Sequence, residues 1–344
     1  MPSPGELFAL KLASDAGRGV AVLLAGIGDR LGLFSALAQG PADPGELAAR
    51  SGIDPRYARE WLHAMTSAGY IALDNSRYAL PAAQAEVLAA EGGPIFMGGT
   101  LQMLLGMTAA LDPLREAFRT GKGIAPDTYP DDTWEGMERD TAGMFEHKLV
   151  AKWLPRVPAV RALLQKGVEV ADIGCGRGRA LFALARAFPQ SRFVGYDAHA
   201  PNVARANEKA AHAGLADRVR FETRDASDGL PPLDLALTFD VVHDAARPKA
   251  LAASIHRALR KDGRWLAFEI RAKEDPDTND DPLTLLRWGF SLLYCMSVSL
   301  AQGGEGLGTF GLTESRMRKL CTDAGFSAVR AELLSFHVLY EAEP

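Results

Sequence analysis

"VADIGCGRGRALFALARAFP", Val170 to Pro189, decides how the rest of the chain is read. A short apolar lead-in carries Asp172. Glycines follow at 174, 176 and 178, and an Ala- and Leu-rich helical run ends at a proline. Glycines between a strand and a helix let a ligand lie on bare backbone, facing N–H groups at the helix start. The spacing departs from the dinucleotide turn G-x-G-x-x-G. The third glycine comes one residue early, and Arg179 stands in the expected slot. Asp172 would repel a pyrophosphate and would suit a ligand bearing an ammonium and a sulfonium. A nicotinamide-dependent dehydrogenase is therefore disfavoured.

Downstream, apolar strand candidates alternate with helical runs. The strands are "VEVADIG", "RFVGYD", "RVRFETRD", "LDLALTFD" and "GRWLAFEI", and the tail adds one helix and two more strands. This order predicts an α/β fold with a mostly parallel, Rossmann-like sheet of seven strands covered on both faces. Ligands of such sheets gather at the carboxyl ends of the strands. Asp197 ends the second strand, about 20 residues past the last glycine, where a carboxylate can accept ribose hydroxyls. Asp225 and Ala226 end the third strand, where an adenine edge would lie. Asp240, His243 and Asp244 end the fourth.

The front of the chain is helical in period. "DPGELAARSG" and "DPRYAREWLHAMTSAGY" each open on an aspartate followed by proline, a helix-start device. "YIALDNSRYAL" reads as two short strands about a turn. Helices closed by a hairpin follow the winged-helix order. The expected division is a winged-helix domain over 1–90, a helical linker and substrate-cap region over 91–164, and the sheet domain over 165–344.

The totals narrow the partners. Over 344 residues the formal net charge is −5, which builds in no attraction to nucleic acid or to anionic membranes. Cys175, Cys295 and Cys321 stand apart with no CxxC pair, which fits a reducing compartment. The N-terminal stretch shows no signal-peptide pattern. A cytoplasmic protein is expected.

D-I-G-C-G-R-G, the acid of "GYD" and the following "RDA" resemble the class I S-adenosylmethionine-dependent methyltransferases. The winged-helix front extends the resemblance to small-molecule O-methyltransferases. "VVHDAARP" and "CMSVSLAQGGEGLG" are similar to a bacterial group of mostly unassigned substrate. The resemblance implies S-adenosylmethionine as cofactor and S-adenosylhomocysteine as product. It implies Gly174 and Gly176 lining the methionine part, Asp172 holding the amino group, Asp197 the ribose, and Asp225 and Ala226 the adenine, with Gly178 and Asp240 also binding the cofactor. It further implies a homodimer through the N-terminal domain and a small-molecule acceptor, aromatic or polyketide-like, methylated on oxygen. Carbon and nitrogen acceptors stay open.

"VVHDAARP" stands where that family carries a catalytic "HDW". His243 is expected as general base with Asp244 orienting it, although Ala245 replaces the usual tryptophan. Glu305 is the candidate helper acid. The alternatives are that His243 lines the cleft while Asp244 caps a helix, or that the pair binds a metal. No metal is assigned; a third ligand would be needed, and His147, Glu305 and His337 are the guesses. Trp134, Met137, Met144, Trp288 and Met296 are expected to wall the acceptor, against the plainer reading of core or dimer contacts. A DNA-binding reading of the front domain is disfavoured, because Arg56 and Arg59 share their helix with Glu60. A catalytically silent cofactor-binding regulator remains the rival class.

Overall fold

The computed structural model describes residues 1–278 and 281–344. The chain divides into two compact units, Met1–Thr108 with Tyr129–Met144, and Ala109–Thr128 with Phe145–Pro344. The middle region expected over 91–164 is thus shared between them.

The first unit opens with α1 (Pro4–Arg30), which starts at a Ser3/Glu6 capping box. Next come α2 (Leu33–Ala38), α3 (Pro44–Ser51) and α4 (Pro55–Ser67). Asp43 caps α3 through the Glu46 N–H, and Glu46 returns the bond, so two orphan donors are satisfied reciprocally. Gly52 then ends α3 in the left-handed region. The hairpin β1 (Ala72–Asp74) and β2 (Arg77–Ala79) turns at Asn75 and Ser76, with φ of 46° and 63°. Positive φ at both central residues makes the turn whose twist matches the strands. Phe34 meets Trp61 edge-on with ring centroids 5.1 Å apart, and the Trp61 indole donates to the Leu24 carbonyl at 2.9 Å.

After α5 (Ala82–Leu88), α6 (Gly98–Met107) packs closely on α8 (Asp131–Met144), and α7 (Leu111–Thr120) belongs to the second unit. Half-buried between these helices and α1, Arg139 donates to Asp29 at 2.6 and 3.0 Å, to Gln102 at 2.6 Å and to Glu91 at 2.7 Å. The early half of α1 leaves Leu7, Phe8, Leu10 and Leu12 exposed.

The second unit holds one seven-stranded sheet in the order β5-β4-β3-β6-β7-β9-β8. Its strands are β3 (Glu169–Ile173), β4 (Arg192–Asp197), β5 (Val219–Thr223), β6 (Leu233–Phe239), β7 (Leu259–Ile270), β8 (Ala328–Leu334) and β9 (His337–Glu343). The first five are parallel, and β9 and β8 join antiparallel. Strands buried on both faces must be largely apolar, as "VADI" and "LALTF" are apart from Asp172 and Thr238. From β3 the chain first winds outward through β4 and β5, then returns to β6 on the other side. That reversal opens a crevice at the carboxyl ends of β3 and β6. Trp265, Tyr196, Phe193 and Phe268 are fully buried about the sheet. Phe239 and Trp153 stack on Phe268 at 4.8 and 5.0 Å.

The apolar run Thr284–Ala301 is one continuous helix in three parts, an α-helical start (Thr284–Phe290), a widened π-type turn (Ser291–Cys295) and an α-helical end (Met296–Ala301). Among the described residues, Thr284–Ala301 alone is long and apolar enough to cross a membrane by length and composition. Within its unit it packs on the loop after β6, where Ser299 Oγ donates to the Ala245 carbonyl at 3.2 Å.

Candidate active site

The glycine turn lies where the crevice opens. Gly174 and Cys175 donate their N–H groups to the Tyr196 carbonyl, which pins the turn against β4. Gly178 has φ +84°, and a Cβ there would fall 2.4 Å from the Phe221 ring, so this position accepts no other residue without displacement. Gly176, with φ +52°, is the opposite case. A Cβ there meets nothing within 4 Å, so its backbone faces open space. The Gly176 N–H donates to Asp197 Oδ2 at 2.8 Å, and the His199 N–H donates to Oδ1 at 2.8 Å.

Two buried carboxylates flank this turn. Asp172 pairs in register with Gly195 on β4 and is 2% exposed. Burial pushes its carboxyl well above the usual range, and the like charge of Asp197 adds to this. Among the described residues no hydrogen bond offsets either effect. Asp197 is also raised, by burial first, although its two backbone donors pull the other way. Such a pair, beside backbone left open at Gly176, fits a ligand that brings a positive charge and hydroxyl donors. Asp225 is already neutralised. Arg247 bonds it at 2.6 Å and holds its carboxyl low against the cost of burial, while Ala226 beside it is buried.

A second cluster forms around His243, which is 2% exposed. Its Nδ1 lies 2.7 Å from Glu269 Oε2. The other Glu269 oxygen accepts the Val241 and Val242 N–H groups at 3.2 and 2.8 Å, so that carboxylate is fixed from three sides. A carboxylate oxygen can only accept, so Nδ1 carries a hydrogen, and in the neutral ring Nε2 holds the lone pair. His243 Nε2 points to Asp244 Oδ1 at 3.2 Å, yet Oδ1 has no hydrogen-bond partner and is buried. Burial alone would lower the His243 imidazolium; Asp244, Cys295 and Glu269 outweigh it and hold it well above the ordinary histidine range. Burial raises Asp244 and pushes the Cys295 thiol up to about 11.

Asp240 belongs with this cluster. It ends β6 at φ +55° and bonds His337 Nε2 at 3.0 Å, and one of its oxygens comes within 4.8 Å of both His243 and Glu269. Burial opposes ionisation of Asp240, and His337 reverses the balance to hold it low. Glu305, the candidate helper acid, makes no contact with His243 among those described. It sits 3.7 Å from Lys249 and 3.7 Å from Arg316, while the acid on His243 is Glu269. The missed signal was an acid closing the apolar strand "WLAFEI", since a buried acid needs a partner. Cys295 was missed because the π-type turn that aims it leaves no mark in the periodicity. Of the residues expected at the acceptor, Trp134, Met137 and Met144 stand on α8 of the first unit. In the second unit Trp288 packs on Phe310 at 4.7 Å, and Met296 lies against Gly308.

With this geometry in hand, comparison with known proteins is decisive. A family model described as a methyltransferase domain matches residues 171–265, and one for Rv2258c-like winged HTH domains matches 19–90. The N,N-dimethyltransferase OxyT of Streptomyces rimosus is 31% identical over 273 residues, covering 75% of this chain and 77% of its own. The chain is a class I S-adenosylmethionine-dependent methyltransferase. A second relative of this methyltransferase is the 3-hydroxy-5-methyl-1-naphthoate 3-O-methyltransferase of Streptomyces sahachiroi, 32% identical with 71% and 72% of the two chains covered. The structure of human N-acetylserotonin methyltransferase in complex with SAM matches at TM-score 0.71 and 20% identity, over 100% of this chain and 99% of that one. That likeness concerns the fold. The cofactor of the methyltransferase is S-adenosylmethionine, and the two raised carboxyls beside Gly176 fit its ammonium and ribose hydroxyls.

Proposed function

We propose that this methyltransferase methylates a hydroxyl of an aromatic or polyketide-like small molecule, with His243 as general base. The observation that carries the reading is the buried 2.7 Å bond from His243 Nδ1 to Glu269, which makes Nε2 the proton acceptor of the neutral ring. Bound at the glycine turn, S-adenosylmethionine supplies a methyl group activated by positive sulfur. Asp172 holds the ammonium, Asp197 the ribose hydroxyls, and Asp225 with Ala226 borders the adenine. His243 takes the acceptor's proton at Nε2 as the acceptor oxygen gains the methyl, and Glu269 stabilises the resulting imidazolium. Trp288 and Met296 supply apolar surface for the acceptor.

The naphthoate O-methyltransferase relative supports an aromatic hydroxyl. The OxyT relative supports a second reading, an amine acceptor, and the acids around His243 would suit an ammonium. The exposed Leu7, Phe8, Leu10 and Leu12 of α1 support a homodimer through the first unit. Phe8→Glu with Leu12→Glu should then halve the mass seen by light scattering.

The test pairs binding with turnover. Calorimetry should show S-adenosylmethionine and S-adenosylhomocysteine binding to wild type and to His243→Gln, but not to Asp197→Ala. A panel of hydroxylated and aminated polycyclic aromatics should be methylated by wild type and not by His243→Gln. Turnover surviving in His243→Gln would remove the base assignment, and methylation confined to amines would select the second reading.

A further inference from the structure

The sequence left a metal reading of His243–Asp244 without a third ligand. The fold supplies one. The π-type turn Ser291–Cys295 brings Cys295 Sγ to the pair, so that a ring nitrogen of His243, a carboxylate oxygen of Asp244 and Sγ all lie within 4.8 Å of one another. We propose that His243, Asp244 and Cys295 form a three-ligand site for a zinc ion.

Three observations support it. His243 Nε2 and Asp244 Oδ1 face each other as an ion pair at 3.2 Å, and among the described residues Oδ1 is buried with no hydrogen bond of its own. A buried carboxylate oxygen left unsatisfied is costly unless something positive meets it. Second, zinc bonds of about 2.0–2.1 Å to nitrogen and oxygen in a tetrahedron set those two atoms about 3.3 Å apart. The observed separation is that of two ligands on one ion. Third, the outer partners are in place. Glu269 holds His243 Nδ1 at 2.7 Å, the carboxylate–histidine arrangement of zinc sites, and Thr309 Oγ1 donates to Cys295 Sγ at 3.2 Å.

A nitrogen, oxygen and sulfur set selects zinc over magnesium or calcium, which take oxygen ligands. Asp244 is 27% exposed on its side chain and gives the ion a way in. Cys295 binds as thiolate, its proton leaving to solvent, and the fourth position stays open. Zinc at Nε2 occupies the lone pair that takes the acceptor's proton. Resting on that base reading, zinc is a reversible inhibitor of turnover, relieved by a chelator.

Cobalt(II) titration of metal-free protein tests the site without any acceptor. A thiolate-to-cobalt band should grow to one equivalent per chain and be bleached by zinc. Cys295→Ala should abolish it, with cofactor binding by calorimetry showing that the variant is folded. Glu269→Gln, which puts the ring proton on Nε2, should weaken zinc by at least about 10–100-fold. No band in wild type, or a band that survives Cys295→Ala, overturns the proposal. Should Cys295→Ala not fold, Asp244→Asn serves instead, and zinc affinity unchanged in that variant overturns it equally. Because neither readout depends on turnover, failure of the base assignment leaves this result unaffected, and the reverse also holds.

Discussion

Replacing Glu269 by glutamine changes one atom and should disable the base without disturbing the fold. One Glu269 oxygen accepts two backbone N–H groups, at 3.2 and 2.8 Å, and the other meets His243 Nδ1 at 2.7 Å, all at 1% exposure. In the glutamine variant the amide oxygen must stay with the two backbone donors, because an NH2 group there would face donors on both sides. The NH2 is therefore forced onto Nδ1. Nδ1 must now accept, the ring proton moves to Nε2, and the lone pair that takes the acceptor's proton is gone. General-base catalysis contributes about 10²–10⁴-fold, or about 3–5 kcal/mol of barrier. The expected result is a kcat loss of that size with cofactor affinity unchanged. Steady-state kinetics and long-range ¹⁵N spectra of His243 read the two halves of the argument. A kcat within about threefold of wild type, with Nε2 still unprotonated in the neutral ring, would refute the tautomer reasoning.

Other consequences are separable. Burial raises the carboxyls of Asp172 and Asp197 when the site is empty, and a cationic cofactor draws them back toward the ionised form. Binding should therefore release protons, seen as calorimetric heats that differ between buffers of different ionisation enthalpy. By linkage, a carboxyl raised in the folded state adds stability at acid pH and loses it as pH rises through the raised value, so the melting temperature of the empty protein should fall across that window. Gly176→Ala adds a Cβ that touches no protein atom, so it should cost about 1–2 kcal/mol from positive φ alone, yet lower S-adenosylmethionine affinity by about tenfold or more. Thermal melts and calorimetry distinguish this outcome from simple unfolding. Arg139→Met leaves Asp29, 6% exposed, without its cation and should cost the first unit about 3–5 kcal/mol in denaturant melts. Adding Asp29→Asn should restore part of that loss.

Local chemistry in the sequence determined a good deal of this protein. The Asp43–Pro44 and Asp54–Pro55 starts, the Asn75–Ser76 turn and the strand "RFVGYD" lie where capping, positive φ and apolar runs require them, because each depends on neighbours within a few residues. The glycine spacing with Asp172 inside it favoured a cationic ligand over a pyrophosphate by charge alone. Only the tertiary structure decided the rest. Glu269 reaches His243 because β7 pairs with β6 and sets the end of one strand beside the loop after the other, a contact 26 residues away in sequence. Cys295 reaches the same histidine because the helix widens at Ser291–Cys295, and one extra residue in a turn rotates a side chain onto another face. Hydrophobic period reports which face of an element is buried. Which charged groups then meet inside is fixed by strand order and helix register, and neither is written in any local window.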